Sequence, residues 1–235
     1  MYYRLLLDFN TLENGLIALT SEQSHYLKKV VRLKSHDRFI ALNGQGQAWL
    51  AEIIDNSAYL LEAINETTEL PVQVNLMVAI PKNGFDDIVR AATELGVYRI
   101  IPLLTERSLV NPSPQKIDRW RKIAREAVEQ SERQIIPIIE EPQPFLAILN
   151  QGANPGTTCY IGVTRRTVDP LLSQLQTSTE ITIAIGPEGG WTEAEIEQAI
   201  AADFLPVSLG KRILRTITAP LVALAIINAY LGSAE

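Results

Sequence analysis

Two short loops concentrate the residues able to hold a small ligand. The first, Ile185-Gly186-Pro187-Glu188-Gly189-Gly190-Trp191-Thr192, follows an apolar run and enters a helix whose start is marked by Thr192 and Glu195, a capping-box pair. Its glycines admit backbone conformations that other residues resist and let amides approach a ligand closely. Glu188 puts a carboxylate among those amides. At close range that charge repels a phosphate, whereas hydroxyls, an adenine edge or a cation are compatible with it. Neither Gly-x-Gly-x-x-Gly nor Gly-Lys-Ser/Thr is present, so dinucleotide and triphosphate sites do not fit. Without a ligand the same residues would be a tight strand-to-helix turn. The second loop, Leu209-Gly210-Lys211-Arg212-Ile213-Leu214-Arg215-Thr216, joins a flexible glycine, apolar side chains able to line an adenine pocket, and three cations. Its plainer alternative is a solubilising surface loop.

Such loops act only where strands and helices gather them. From Pro71 onward the pattern alternates strand and helix: strands over Val72–Ile80, Tyr98–Leu104, Thr157–Val163, Ile181–Ile185 and Leu205–Ser208. Helices are expected over Gly84–Leu95, closed by Gly96 as a left-handed cap, over Pro114–Arg133 with an apolar side of Trp120, Ile123, Ala124, Ala127 and Val128, and over Ala219–Leu231. The near-continuous apolar runs suit parallel strands buried on both faces, so the class is α/β with an open, mostly parallel sheet. In such sheets ligands sit at the carboxyl ends of strands, which is where both loops lie.

Residues 1–70 read differently. Strands over Arg38–Leu42, Gln47–Ile54 and Ala58–Ile64, with an Asn43-Gly44 turn, flank one helical stretch over 21–34 that Ser21 can cap. This predicts a small β-barrel ahead of an α/β domain over 72–235.

Bulk properties narrow the function. A net charge of −6 argues against a protein that coats nucleic acid indiscriminately. The basic residues are nevertheless grouped: before Pro71 they are Arg4 and then Lys28, Lys29, Arg32, Lys34 and Arg38, and Arg119, Arg121, Lys122 and Arg125 share the third predicted helix. Either group is a phosphate-docking surface or a solvated face. The single cysteine, Cys159, sits in an apolar run and reads as a small core residue. The opening Met1-Tyr2-Tyr3-Arg4 is followed by too short an apolar stretch for a secretion signal. No apolar run is long enough to span a membrane, so a cytoplasmic chain is expected, and no metal site is suggested.

The two loops, taken with His25-Tyr26-Leu27-Lys28-Lys29-Val30-Val31-Arg32-Leu33, Ala92-Thr93-Glu94-Leu95-Gly96-Val97, Thr105-Glu106-Arg107-Ser108, Arg119-Trp120 and Glu126–Arg133, resemble the RsmE family of 16S ribosomal RNA uridine-N3 methyltransferases. The resemblance spans almost the whole chain in order. It implies a PUA-like RNA-binding barrel followed by a SPOUT domain with a trefoil knot, a homodimer, and S-adenosylmethionine as cofactor, a ligand without phosphate and with a sulfonium charge. By motif, the cofactor pocket would comprise Thr164, Ile185, Gly186, Pro187, Glu188, Gly189, Leu209, Gly210, Ile213, Leu214 and Thr218. Three positions depart from the family pattern: Ile217 replaces a usual acidic residue, Ala91 a usual lysine, and Asn83-Gly84-Phe85-Asp86-Asp87 is atypical.

For the implied reaction, Arg215 is expected to stabilise negative charge developing on the base, and Glu188 or Glu94 to accept the proton or orient the base. Arg4, Lys28, Lys29, Arg32, Lys34 and Arg38 would dock phosphates of the small ribosomal subunit. Two other readings share these residues: a tRNA ribose methyltransferase of the same fold, and a non-catalytic ribosome assembly factor, which Ile217 would suit.

Overall fold

The computed structural model describes residues 2–108 and 110–232. The chain divides into two compact units, Met1–Glu69 with Arg125–Ile136, and Leu70–Ala124 with Pro137–Glu235.

The first unit contains β1 (Arg4–Leu6), β2 (Leu16–Ala18), α1 (Ser21–His25), β3 (Arg38–Leu42), β4 (Ala48–Ile54) and β5 (Ser57–Ile64). They form one sheet in the order β1-β3-β4-β5-β2, antiparallel except for β1 beside β3. Alternation along β3 serves two cores: Phe39 and Ala41 pack with Leu27 and Ile53, while Ile40 and Leu42 pack with Leu6 and Val128. Val128 belongs to the second piece of this unit, which polar contacts also fasten. The Glu129 carboxylate accepts from the Leu6 amide at 2.8 Å. Glu69 accepts from the Gln134 and Ile135 amides and pairs with buried Arg133 at 2.6 Å.

The expected helix over 21–34 is shorter and starts differently. Thr20, not Ser21, is the cap: its hydroxyl accepts from the Gln23 amide, and the Gln23 side chain accepts from the Thr20 amide. This reciprocal pair fixes the first turn. Regular helix ends at His25, a wider π-type turn covers Tyr26–Val30, and Arg32 takes a left-handed φ of 66° that no helix continues through.

The second unit holds β6 (Gln73–Ala79), α2 (Phe85–Glu94), β7 (Arg99–Leu104), α3 (Pro114–Gln130, whose last residues count with the first unit), β8 (Ile138–Ile139), β9 (Gln143–Pro144), α4 (Phe145–Leu149), β10 (Thr157–Gly162), α5 (Leu171–Gln174), β11 (Glu180–Ile185), α6 (Glu193–Ala201), β12 (Phe204–Val207) and α7 (Thr218–Gly232). The sheet runs β12-β10-β11-β6-β7-β8, parallel throughout, with β9 also beside β7. One face packs on Phe85, Ile88, Trp120, Leu224 and Ile227 of α2, α3 and α7; the other packs on Phe145, Ile196 and Ala199 of α4 and α6. Gly96 ends α2 at φ 83°, and Asn228 of α7 donates to the Leu95 carbonyl at 2.7 Å. The α/β class with a parallel sheet behind a small β domain is thus the architecture anticipated. Among the described residues, no helix is long and apolar enough to cross a membrane.

Candidate active site

At the carboxyl ends of β10, β11 and β12 the connecting segments enclose a cavity of about 260 Å³. Its floor is built by close approach. A Cβ on Gly186 would stand 2.9 Å from Cε2 of Trp191, and one on Gly162 would stand 3.1 Å from Ile185. The Trp191 ring lies over Gly186, donates from Nε1 to the Gly162 carbonyl at 3.0 Å, and packs on Phe145 with centroids 4.5 Å apart. One side chain therefore ties the end of β10 to the loop after β11.

The rest of that loop is held from outside. Pro187 accepts from the Gly190 amide, and Gly190 takes φ 72°. Arg107, from the segment after β7, packs on Gly189 and donates to its carbonyl at 2.8 Å. Glu195 is 3% exposed, closes the capping box with Thr192, and also accepts from the Glu106 amide at 2.9 Å. A buried carboxylate is tolerated when donors saturate it, and here it fixes α6 and the Arg107 segment together. Arg166 is paired with Glu193, and with Glu197 at 2.9 Å, beside the same cavity. These hydrogen bonds, Glu193 first, raise its pKa above the usual arginine value.

The loop after β12 forms the other wall. Ser208 is held by Asp169 and in turn receives the Leu171 amide, so this segment runs bonded to the one after β10. Beyond it, none of the amides from Lys211 to Thr216 donates to a backbone carbonyl among the described residues. Leu209, Gly210, Leu214 and the buried Thr216 face the cavity. Glycine at 210 is required by its φ of 119°.

Of the residues expected at a cofactor, Thr164, Ile185, Gly186, Pro187, Gly189, Leu209, Gly210 and Leu214 line this cavity together. Glu188, Ile213 and Thr218 do not. The Glu188 carboxylate turns outward and accepts from the Lys82 amide at 3.0 Å; Ile213 is 66% exposed; Thr218 begins α7. Arg215 sits between two lining residues, its carbonyl receiving the Thr218 and Ala219 amides, and its guanidinium has no partner among the described residues. Glu94 is not brought to the site. It ends α2, which starts near the cavity side and runs back about 15 Å for its 10 residues. Arg107, Arg166, Arg212, Trp191 and Thr216 also line the cavity although they were outside the expected cofactor set; Trp191, Arg212 and Thr216 belong to the two loops, Arg107 to the Thr105–Ser108 motif, and only Arg166 had no signal in the sequence.

Within the first unit the expected basic surface is divided. Lys29, Arg32, Lys34 and Arg38 are exposed. Lys28 is instead tied to the Asp55 carbonyl at 2.7 Å, and Arg4 pairs with Glu132 at 2.7 Å. On α3, Arg119 pairs with Asp86 and Arg121 with Glu141, so half of that group is neutralised by neighbouring acids. Cys159 is buried, and burial pushes its thiol up to about 11, so it stays protonated at neutral pH and serves as packing.

Residues 68–228 match the RNA methyltransferase domain family and residues 19–61 the RNA methyltransferase PUA domain family. The chain is 47% identical to ribosomal RNA small subunit methyltransferase E of Synechocystis sp. over 99% of its length and 79% of that protein. The chain belongs to the ribosomal RNA small subunit methyltransferase E family. The Bacillus subtilis member is 32% identical over 90% of this chain and 89% of that protein. Among solved structures, a member of the family from Neisseria gonorrhoeae bound to S-adenosyl methionine superimposes with a TM-score of 0.88 at 31% identity, covering 97% of this chain and 98% of that one. A methyltransferase from Legionella pneumophila with bound S-adenosylmethionine gives 0.83 at 26% identity, over 97% and 98% of the two chains.

Proposed function

We propose that this protein transfers a methyl group from S-adenosylmethionine to N3 of one uridine in the 16S RNA of the small ribosomal subunit. The observation that carries this reading is the cavity at the ends of β10, β11 and β12, where eight motif-matched residues converge. The cavity suits the cofactor: glycine approach at Gly186 and Gly162, amides from Lys211 to Thr216 left free of backbone carbonyls among the described residues, the Thr216 hydroxyl, and apolar Ile185, Leu209 and Leu214 for an adenine ring. When bound, S-adenosylmethionine supplies an electrophilic methyl.

The chain's own residues then position and polarise. Uracil N3 is protonated at neutral pH and paired in a helix, so an unpaired or extruded base must be selected. Arg215, exposed beside the cavity, lowers the cost of negative charge on the base as its proton leaves to solvent. Glu188 holds its loop to the Lys82 amide, and Arg107 and Glu195 keep that loop fixed, so alignment needs no rearrangement at the moment of reaction. Lys29, Arg32, Lys34 and Arg38 dock phosphates. We read the protein as a cytoplasmic homodimer whose SPOUT domain carries the trefoil threading that the resemblance implies; the bonded segments after β10 and β12 are in keeping with it.

The test is transfer of labelled methyl from S-adenosylmethionine to unmodified small subunits, with free 16S RNA and tRNA in parallel. Label mapped to N3 of one uridine is expected; label on tRNA, or none despite cofactor binding, overturns the assignment.

A further inference from the structure

The second unit has another cavity, of about 250 Å³, at the opposite ends of the same strands. It opens where β6, β7, β10, β11 and β12 begin; along β10 its lining reaches Cys159, and the first cavity starts at Gly162, about 10 Å further on. Polar groups unusual for a strand interior face it. Asn75 is 4% exposed, and its Nδ2 donates to Glu180 and to the Thr182 hydroxyl. Those two donations fix which way the amide points, since a flipped amide would set its oxygen against the Glu180 carboxylate. The Asn75 Oδ1 is buried and has no hydrogen-bond partner. Arg99 is the cross-strand neighbour of Asn75 in the β6–β7 register, so both side chains rise from one face about 5 Å apart. Its Nη1 pairs with Glu140 at 3.0 Å, yet its Nε is also buried and without a partner.

An orphaned acceptor beside an orphaned donor is costly unless something meets both. The surrounding charged groups already have partners. Arg99 has Glu140; Glu180 accepts from Asn75 and from Thr157, and these hydrogen bonds outweigh burial and hold its carboxyl below the usual range. An anion would meet the Glu180 charge and a cation the Arg99 charge, so a neutral molecule is favoured. One water needs only about 10–15 Å³ of such a cavity, far less than is present. Met77, Ile101 and Phe204 give the cavity an apolar patch that suits a flat ring, beside polar Gln151, Asn154 and Thr157.

We propose that this cavity binds a small neutral ring carrying a cis-amide edge, with its carbonyl accepting from Arg99 Nε and its N–H donating to Asn75 Oδ1. Uracil is the simplest such molecule, and the site is separate from the cavity assigned to the cofactor.

The test is two-dimensional amide NMR of the full chain titrated with uracil and, in parallel, with 1,3-dimethyluracil, which keeps the ring and carbonyls but has no N–H. Uracil is expected to shift the Asn75 side-chain amide and the backbone amides of Cys159 and Thr182, with dimethyluracil about tenfold or more weaker, because it leaves a buried acceptor unmet. Asn75→Leu should abolish the uracil shifts while leaving S-adenosylmethionine affinity unchanged. Arg99→Lys, which keeps the charge but removes the Nε donor, gives the same readout should Asn75→Leu fail to fold. Equal binding of the two rings, no shift up to the solubility of uracil, or shifts confined to the Gly186 and Leu209 loops would each overturn the proposal and leave water as the occupant. None of these outcomes depends on methyl transfer, so the proposal stands or falls apart from the reaction.

Discussion

Gly186→Ala tests how the cofactor loop is built. The new methyl would lie 2.9, 3.0 and 3.1 Å from three atoms of the Trp191 ring, all inside normal van der Waals range. The backbone itself accepts alanine, since Gly186 is not among the residues of positive φ, so the whole effect falls on packing. The indole cannot swing away freely: Nε1 is bonded to Gly162 and the ring rests on Phe145. Overpacking of this kind costs about 1–3 kcal/mol, and a stretched bond to the Gly162 carbonyl adds to it. A loss of about 2 kcal/mol lowers the melting temperature of a chain this size by roughly 4–8 °C. Displacement of a wall of the cavity should also weaken S-adenosylmethionine by about tenfold, or 1.4 kcal/mol. The assay is calorimetric titration of cofactor beside thermal melting. Gly190→Ala is the control, because its Cβ meets open space and only the φ of 72° is penalised. Adding Trp191→Phe to Gly186→Ala should restore part of the melting temperature by opening room. Wild-type stability and affinity in Gly186→Ala would refute the packing account, as would a double variant less stable than wild type by the full sum of the two single losses.

Arg215→Ala should lower kcat by about a hundredfold or more while cofactor affinity is kept; full turnover in a single-turnover assay would remove Arg215 from the chemistry. Reversing Lys29, Arg32, Lys34 and Arg38 to glutamate should weaken binding to the small subunit most at low salt, and flatten the dependence of log affinity on log salt by about 0.7–0.9 for each phosphate no longer neutralised. An unchanged slope would mean these residues face solvent only. Glu129→Gln should raise stability at neutral pH. Burial, opposed by the Leu6 amide, holds the folded carboxyl above its ordinary value, so the native state binds the proton more readily and stability falls as pH rises through that window. The gain in melting temperature should shrink as pH drops below the ordinary carboxylate pKa, and a gain independent of pH would contradict this.

Most strands of the second unit were legible because burial on both faces demands apolar runs, and Thr192 with Glu195 announced α6. The elements that escaped notice are brief: β1, β2, β8, β9 and α4 have two to five residues each, too few for a period to emerge. The two loops were legible through their glycines, but side-chain direction was not. Glu188 turns away because a particular amide, that of Lys82, lies in reach, and Arg107 arrives from about 80 residues upstream. Both facts belong to tertiary packing. The departure at Ile217 also becomes intelligible: its Cδ1 occupies the space where a Cβ on Gly84 would be, 2.5 Å away, so the apolar residue and the atypical glycine fit one another.

The joining of Arg125–Ile136 to the amino-terminal unit sets the order in which the chain can mature. Until those residues leave the ribosome, Leu6, Ile40 and Leu42 lack Val128, and Glu69 lacks both Arg133 and the amides it caps. They are made roughly 70 residues after Glu69, a delay on the order of 3–14 s at 5–20 residues per second. The nascent amino-terminal sheet must therefore wait, half covered, while the Leu70–Ala124 part of the second unit is being synthesised. A fragment cut at residue 70 would be frozen at that stage, with an open apolar face and a buried acid missing its cation. Such a fragment should stick to itself and to chaperones, and appending residues 125–136 through a short linker is the simplest way to make it a free-standing module.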